Sequence, residues 1–442
     1  MAGNAPGATV SASVSAAPAS GPVSAPTAGC VPGAVSGAVS GPCFENARTA
    51  GIRLSAAMAA SMRATALRAQ GRTVFDLSLG EPDFNTPAPI VQAALEAMQG
   101  GLTHYTGPSG LAVLKDAIIR KFARENGLTY TADEIAVGVG AKQILFDLFM
   151  GSLNPGDTVL IPAPFWLSYR DMVEYNGGQA VLLPCGAESN FKLAPERLAA
   201  AMTPQTRWLM LNNPSNPSGA VYTQAELQAL GAVLERHPQV CIMSDEIYEH
   251  IRFDGVEVCS FPKACPALKD RTLVVNGVSK AYAMTGWRLG YAAGPAGLIR
   301  TLNKLESQTT TCPSSISQVA AAAALDGPQD FLVEAQAAYT RRRALVLDGL
   351  AGTELRVVPP DGAFYIFPEC SAYLGRYTPD GRLIGDDIAL ADYLLDEGGV
   401  AVVPGQAFGV GNYLRLSFAT SEENLRTALA AMVACLSTLK KG

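Results

Sequence analysis

Charge and histidine are what this chain has least of. Only 16% of its 442 residues are charged, 33 basic against 39 acidic, for a net charge of -6. The two signs are interspersed, so no basic stripe exists to attract a phosphate backbone or an anionic membrane surface, and neither nucleic acid nor membrane is an expected partner. No apolar run reaches the ~18 residues of a spanning helix. Three histidines, and nine cysteines scattered without a CxxC pair, give no zinc-like cluster, so no metal is expected. An odd number of separated thiols fits a reducing, cytoplasmic compartment. Charge is missing altogether before Glu45. Residues 1–46 are almost all Ala, Gly, Ser, Pro and Val and read as a disordered low-complexity leader, because they bury too little to offset the entropy of ordering. They lack the basic and apolar regions of a signal peptide, and a true start further downstream stays open.

What the chain does have is core and turns: 48% apolar residues, 43 glycines and 29 prolines. That is a globular profile long enough for two or three domains. From about residue 73 the pattern is strand, turn, helix, repeated. "RWLMLNN" (207–213) reads as a strand, Thr223 to Glu226 as a capping box, and Leu227, Leu230, Val233 and Leu234 as one apolar helix face. "VCIMSDEIY" (240–248) is the next strand, which completes a βαβ unit and implies a parallel sheet covered by helices. "EIAVGVG" (134–140), "DTVLIPAP" (157–164) and "RTLVVNGV" (271–278) are similar strands. A long helical stretch, 329–350, leads into a second α/β segment with "GAFYIF" (362–367), "GVAVVPG" (399–405) and "YLRLSFA" (413–419).

In open parallel sheets chemistry collects beyond the carboxyl ends of the strands. Each of these strands ends in something other than filler. Gly138 to Lys142 run straight into a helix, where small residues let bare amides face an anion, or else form only a tight turn. Trp166 follows the strand 157–164 and can stack on a planar ring or simply fill core. "NNPSNPSG" presents Asn216 in a fixed direction. Asp245 is a carboxylate in an apolar run, with Tyr248 three residues on; a helix N-cap is the alternative. Lys280 stands where a strand buried on both faces ends, with Arg288 eight residues later; both could instead snorkel to water. Together they are what a phosphorylated pyridine aldehyde requires: a lysine amine to condense with the aldehyde, a carboxylate for the ring nitrogen, an aromatic plate, and an anion cradle with an arginine.

Six ordered blocks, "SLGEPDFNTP", "NPSNPSG", "SDEIYEH", "SKAYAMTGWRLGY", "GAFY" and "YLRLSFATSEENL", resemble the class I, fold-type I pyridoxal-phosphate aminotransferases, closest to the bacterial aspartate/prephenate branch, from about residue 50 to the end. The resemblance implies a mostly parallel α/β sheet with helices on both faces and a smaller α/β C-terminal domain. It divides the chain into an N-terminal arm and part of the small domain (47–88), a large cofactor domain (89–326), and a linking helix with the small domain (327–442). It implies pyridoxal 5'-phosphate as cofactor, Lys280 as Schiff-base lysine and proton shuttle, and Asp245 on the ring nitrogen. Tyr248 and Asn216 would bond the ring hydroxyl, Trp166 would stack on the ring, and Gly140, Ala141, Lys142 and Arg288 would hold the phosphate. Tyr105 would reach the phosphate of a neighbouring subunit, making the enzyme a homodimer with shared sites. Arg415 would clamp the substrate α-carboxylate, approached also by the Gly80 backbone; a surface arginine on an edge strand is the alternative reading. Lys142 and Arg53 would face the substrate's distal group.

The resemblance thus implies ping-pong transamination between an amino acid, aspartate or glutamate by preference, and a 2-oxo acid. Prephenate, aromatic or other neutral substrates, and a β-lyase or decarboxylase on the same scaffold, stay open. A non-catalytic regulator is disfavoured because every catalytic position is filled and the uncharged leader leaves no room for a DNA-binding domain. The departures bear on substrate choice. Arg53, Leu54 and Ala57 replace the usual lysine, proline and threonine, His104 takes a position often basic, and Ser218 replaces a threonine.

Overall fold

Alternation of apolar side chains between two faces builds the central sheet. The computed structural model describes residues 44–52 and 54–442. In chain order the strands are β1 (Phe75–Asp76), β2 (Ile135–Gly138), β3 (Thr158–Ala163), β4 (Gln179–Pro184), β5 (Thr206–Asn212), β6 (Cys241–Asp245), β7 (Thr272–Gly277), β8 (Gly290–Ala293), β9 (Tyr365–Ile366), β10 (Val400–Ala401), β11 (Val403–Pro404) and β12 (Leu414–Ser417). Seven of them form one sheet in the order β2-β8-β7-β6-β5-β3-β4. Val159, Ile161, Trp208, Met210 and Met243 belong to one apolar cluster, while their neighbours Leu160, Leu209, Leu211 and Ile242 belong to another on the opposite face. With both faces apolar, both must be covered, which is why the intervening segments are helices. One of them, Gln224–Leu234, begins with the expected capping box: Thr223 Oγ1 accepts from the Glu226 amide, and the Glu226 carboxylate accepts from the Thr223 amide.

The pairings β3–β4, β3–β5, β5–β6 and β6–β7 are parallel. β8 runs antiparallel to both β2 and β7. Its sequence, Gly-Tyr-Ala-Ala, carries no strand-forming pattern, and Gly290 is there for space: a Cβ on it would lie 2.3 Å from the Ala141 amide nitrogen. The stretch 240–248 is strand only to Asp245; 246–250 turns. "GVAVVPG" splits between sheets, since β10 pairs in parallel with β1, while β11 joins an antiparallel β11-β12-β9 sheet. The helix Asp330–Leu350 packs against the C-terminal helix Glu422–Ser437.

Gly51–Gly442 form one compact unit. Of the residues before it, 44–50 are described, and Asn46 Oδ1 accepts the amides of Arg48 and Thr49. The expectation for the leader otherwise lies outside the described residues. No helix among the described residues is long and apolar enough to cross a membrane.

Candidate active site

Five strand ends and the C-terminal sheet converge on one cavity of about 400 Å³. β2 delivers Ala141 and Lys142, β3 Trp166, β5 Asn216, β6 Asp245, β7 Lys280, and β12 Arg415. Tyr248, Arg288 and Gly80 also line it. Parallel strands do this by construction, because their carboxyl ends share one edge.

Lys280 Nζ donates to the Gly80 carbonyl at 2.7 Å. Burial, with Arg288 and Arg415 nearby, outweighs the pull of Glu81 and brings its amine down to about 8. Asp245 is 5% exposed. Burial pushes its carboxyl up to about 6 despite the bonds from Tyr169 and the Ile247 amide and the Lys280 charge. Tyr169 Oη donates to Asp245 Oδ2 at 2.6 Å, and the Ile247 amide reaches Oδ1 at 3.3 Å. The N-cap alternative for Asp245 is therefore not what the chain adopts.

At the other end of the cavity the helix Ala141–Ser152 starts after Gly140, whose φ of 78° is left-handed backbone that a side chain would strain. First-turn amides of a helix have no acceptor within it. The Arg288 guanidinium lies over this turn: a Cβ on Gly140 would come within 2.6 Å of its Nη2. Arg288 Nη1 donates to the Thr285 carbonyl at 2.8 Å. Lys142 Nζ sits 4.9 Å from the Trp166 ring centre. Burial and the Arg288 charge lower its pKa.

Arg415 is 2% exposed, so the edge-strand surface alternative is excluded. Its guanidinium lies between the Tyr365 and Phe408 rings, 4.6 and 5.0 Å from their centres. Nη1 donates to Asn216 Oδ1 at 3.1 Å and Nη2 to the Ser78 carbonyl, while Nε has no partner. Tyr248 Oη bonds Tyr365 Oη at 2.9 Å, and burial raises the Tyr248 hydroxyl well above its usual range.

Among the described residues, Lys142, Lys280, Arg288 and Arg415 line this cavity with Glu81 and Asp245 as its only carboxylates. None of the four cations has an ion-pair partner among the described residues. Such a pocket suits a ligand set carrying two or more negative charges.

Of the expected site residues that are described, Gly140 and Tyr105 do not line the cavity. Tyr105 is 87% exposed. Arg53 lies outside the described residues, although Ser55, Ala57 and Met58 beside it do line the cavity. Conversely, Tyr169 and Tyr365 were given no role by the sequence. Tyr169 stands three residues after Trp166 and meets its ring edge-on at 5.3 Å, so helical spacing was a usable signal. Tyr365 sits within the quoted "GAFY" block, where nothing local told its partner.

The family description "Aminotransferase class I and II" matches residues 72–432. The chain is 51% identical over 395 residues to the aspartate aminotransferase of Rhizobium meliloti (strain 1021), covering 89% of this chain and 96% of that one. It is also 51% identical over 386 residues to the aspartate/prephenate aminotransferase of Cereibacter sphaeroides (strain ATCC 17029 / ATH 2.4.9), covering 87% and 96%. Among solved structures, the Rhizobium meliloti aspartate aminotransferase superposes with a TM-score of 0.87 at 50% identity, over 90% of this chain and 99% of that one. The Thermus thermophilus aspartate aminotransferase with maleate gives 0.83 at 42%, over 88% and 99%.

Proposed function

The chain belongs to the class I and II aminotransferases, and from that premise we propose that it moves the α-amino group of a dicarboxylic amino acid, aspartate or glutamate by preference, to a 2-oxo acid. The observation that carries the acidic preference is the charge imbalance of the cavity, four cations against two carboxylates. A phosphate and a ring nitrogen account for Arg288 and Asp245. Arg415 is then available to an α-carboxylate and Lys142 to a second, distal one.

Pyridoxal 5'-phosphate is the cofactor of this family, and the residues present fit it. The first-turn amides after Gly140 and the Arg288 fork suit a phosphate, the Trp166 ring suits a stacked pyridine, and Asp245 is a carboxylate that gains from a cationic partner. When bound, the cofactor supplies a carbonyl that condenses with amines and a ring that takes up the electrons released at the α-carbon. The rest falls to the chain. Asp245, oriented by Tyr169 and the Ile247 amide, keeps the ring nitrogen protonated. Lys280, with its amine near 8, is neutral often enough to take the α-proton and to return it one carbon away. Arg415, seated between two rings, fixes the carboxylate so that the α-hydrogen faces Lys280.

The test is a half-reaction. With cofactor-loaded protein and a single amino acid, no acceptor present, aspartate or glutamate should yield one 2-oxo acid per site together with a shift of the cofactor's visible absorbance. A shift only with prephenate's amino product or aromatic donors would overturn the acidic preference and keep the transaminase. Continuous release of pyruvate or ammonia would instead favour the β-lyase reading.

We also read the enzyme as a cytoplasmic homodimer in which Tyr105 serves the partner's phosphate, which its exposure away from its own cavity supports. Tyr105→Ala and Lys280→Ala proteins, each weak or inactive alone, should regain activity when unfolded and refolded together. Hybrid dimers form with one complete site, about a quarter of all sites at equal mixing. No gain on mixing would show that Tyr105 acts within its own subunit or not at all.

A further inference from the structure

Behind the first turn of the helix Ala141–Ser152 lies a polar cluster that the transamination does not use. Asp147 and Glu306 are each only 3% exposed, and they come from different helices, Ala141–Ser152 and Ala296–Thr309. Both point at one nitrogen. Gln143 Nε2 donates to Asp147 Oδ2 at 3.1 Å, to Glu306 Oε2, and is within 3.1 Å of Thr310 Oγ1. Thr310 Oγ1 in turn donates to Glu306 Oε1 at 2.5 Å. With only oxygens around Nε2, the amide can be seated in one way, so Oε1 must face the opposite side. There it accepts the Val139 amide at 2.5 Å.

Val139 is the middle of the Gly138-Val139-Gly140 turn. Two flanking glycines make that turn soft, because each can rotate through backbone angles closed to other residues. The Gly140 amide bonds back to the Gly138 carbonyl at 2.8 Å, but that closes only the inner side of the turn. The outer side is held by Gln143. Two buried carboxyls beside one another are costly: burial lifts both, and the Glu306 charge adds to the lift on Asp147, which reaches about 6. A cost of that kind persists where the groups are needed to hold something in place.

We propose that Gln143 is a positioning residue for the cofactor phosphate: anchored by Asp147, Glu306 and Thr310, it fixes the Val139 peptide so that the amides after Gly140 are aimed before the phosphate arrives. This rests on the reading of Gly140–Lys142 and Arg288 as the phosphate cradle. Preorganisation of this sort raises affinity for the group that the cradle faces and leaves the rest of the ligand's contacts unchanged.

The experiment compares two ligands on the apoprotein: pyridoxal phosphate and pyridoxal, which lacks the phosphate. In Gln143→Leu, affinity for pyridoxal phosphate should fall about tenfold and affinity for pyridoxal less than ~2-fold, the effect of one well-placed hydrogen bond lost. Thr310→Val, a milder change at the anchor, should shift the ratio the same way by about threefold. Both constants are taken on the same folded fraction, so partial unfolding leaves their ratio alone. Equal loss for the two ligands in both variants would overturn the proposal and make Gln143 a packing residue. Arg288→Ala is the control for the underlying reading. If it too fails to discriminate between the ligands, the cradle itself is misassigned; if it discriminates and the Gln143 and Thr310 variants do not, only the positioning role falls.

Discussion

Lys280→Ala should lower kcat by at least ~10⁴-fold, since it removes both a nucleophilic amine and the base that moves the proton. It should also leave no cofactor attached after borohydride treatment and denaturation. The reason lies in the lysine's surroundings. A free lysine amine is under ~1% neutral at pH 8; at a pKa of about 8 roughly half of Lys280 is neutral there. Attachment of added cofactor to the apoprotein should therefore speed up as pH rises through about 8 and then level off. Lys142 is the other amine in the cavity, itself lowered by burial and Arg288. Cofactor found covalently on residue 142 in the Lys280→Ala protein, or in the wild type, would reassign the roles of the two lysines. Lys280→Arg, which keeps a cation without a usable nucleophile, should be as inactive as the alanine variant, which separates chemistry from charge balance.

How this site was legible in the sequence depends on the kind of signal. Asp245, Lys280 and Trp166 each follow a run of apolar, β-branched residues, so a strand end could be read from a local window and the shared edge from the parallel topology. The Thr223–Glu226 capping box was equally local, and the helix begins at Gln224. The misses are non-local. Tyr169 reaches Asp245 across 76 positions, Gln143 reaches Glu306 across 163, and Arg415 reaches Asn216 across 199; no window holds both partners. β8 escaped for another reason. Gly290 and its alanines are chosen for the close approach of the Ala141 amide, and small residues selected for space carry no periodicity. "GVAVVPG" is one continuous apolar run with nothing local to divide it, yet β10 and β11 pair in different sheets.

Asp245→Asn is expected to show opposite signs in activity and in stability. Asparagine keeps the shape, and with its one oxygen accepting from the Ile247 amide its Nδ2 can donate to Tyr169 Oη, but it cannot hold a proton on the ring nitrogen through charge. At ~3 Å and an effective dielectric near 20 the carboxylate–pyridinium attraction is on the order of 5 kcal/mol before desolvation, so a loss of kcat by roughly 10²- to 10³-fold is expected. For the apoprotein the direction reverses. Burial raises the Asp245 carboxyl from 3.8 to about 6 in the folded state, so the folded chain binds that proton more tightly than the unfolded one. Its contribution is favourable below pH ~4 and is lost as pH rises through about 6; above that, keeping the carboxylate ionised in the fold costs about 3 kcal/mol. Asparagine carries no such cost. The Asp245→Asn apoprotein should thus melt a few degrees above wild type at pH 8, and the difference should vanish near pH 4. Bound cofactor supplies the missing cation, so the wild type should gain more in melting temperature from pyridoxal phosphate than the variant does. If the variant melts lower at pH 8 with and without cofactor, Asp245 is a structural carboxylate satisfied by Tyr169, and the assignment of the ring nitrogen to it would have to be given up.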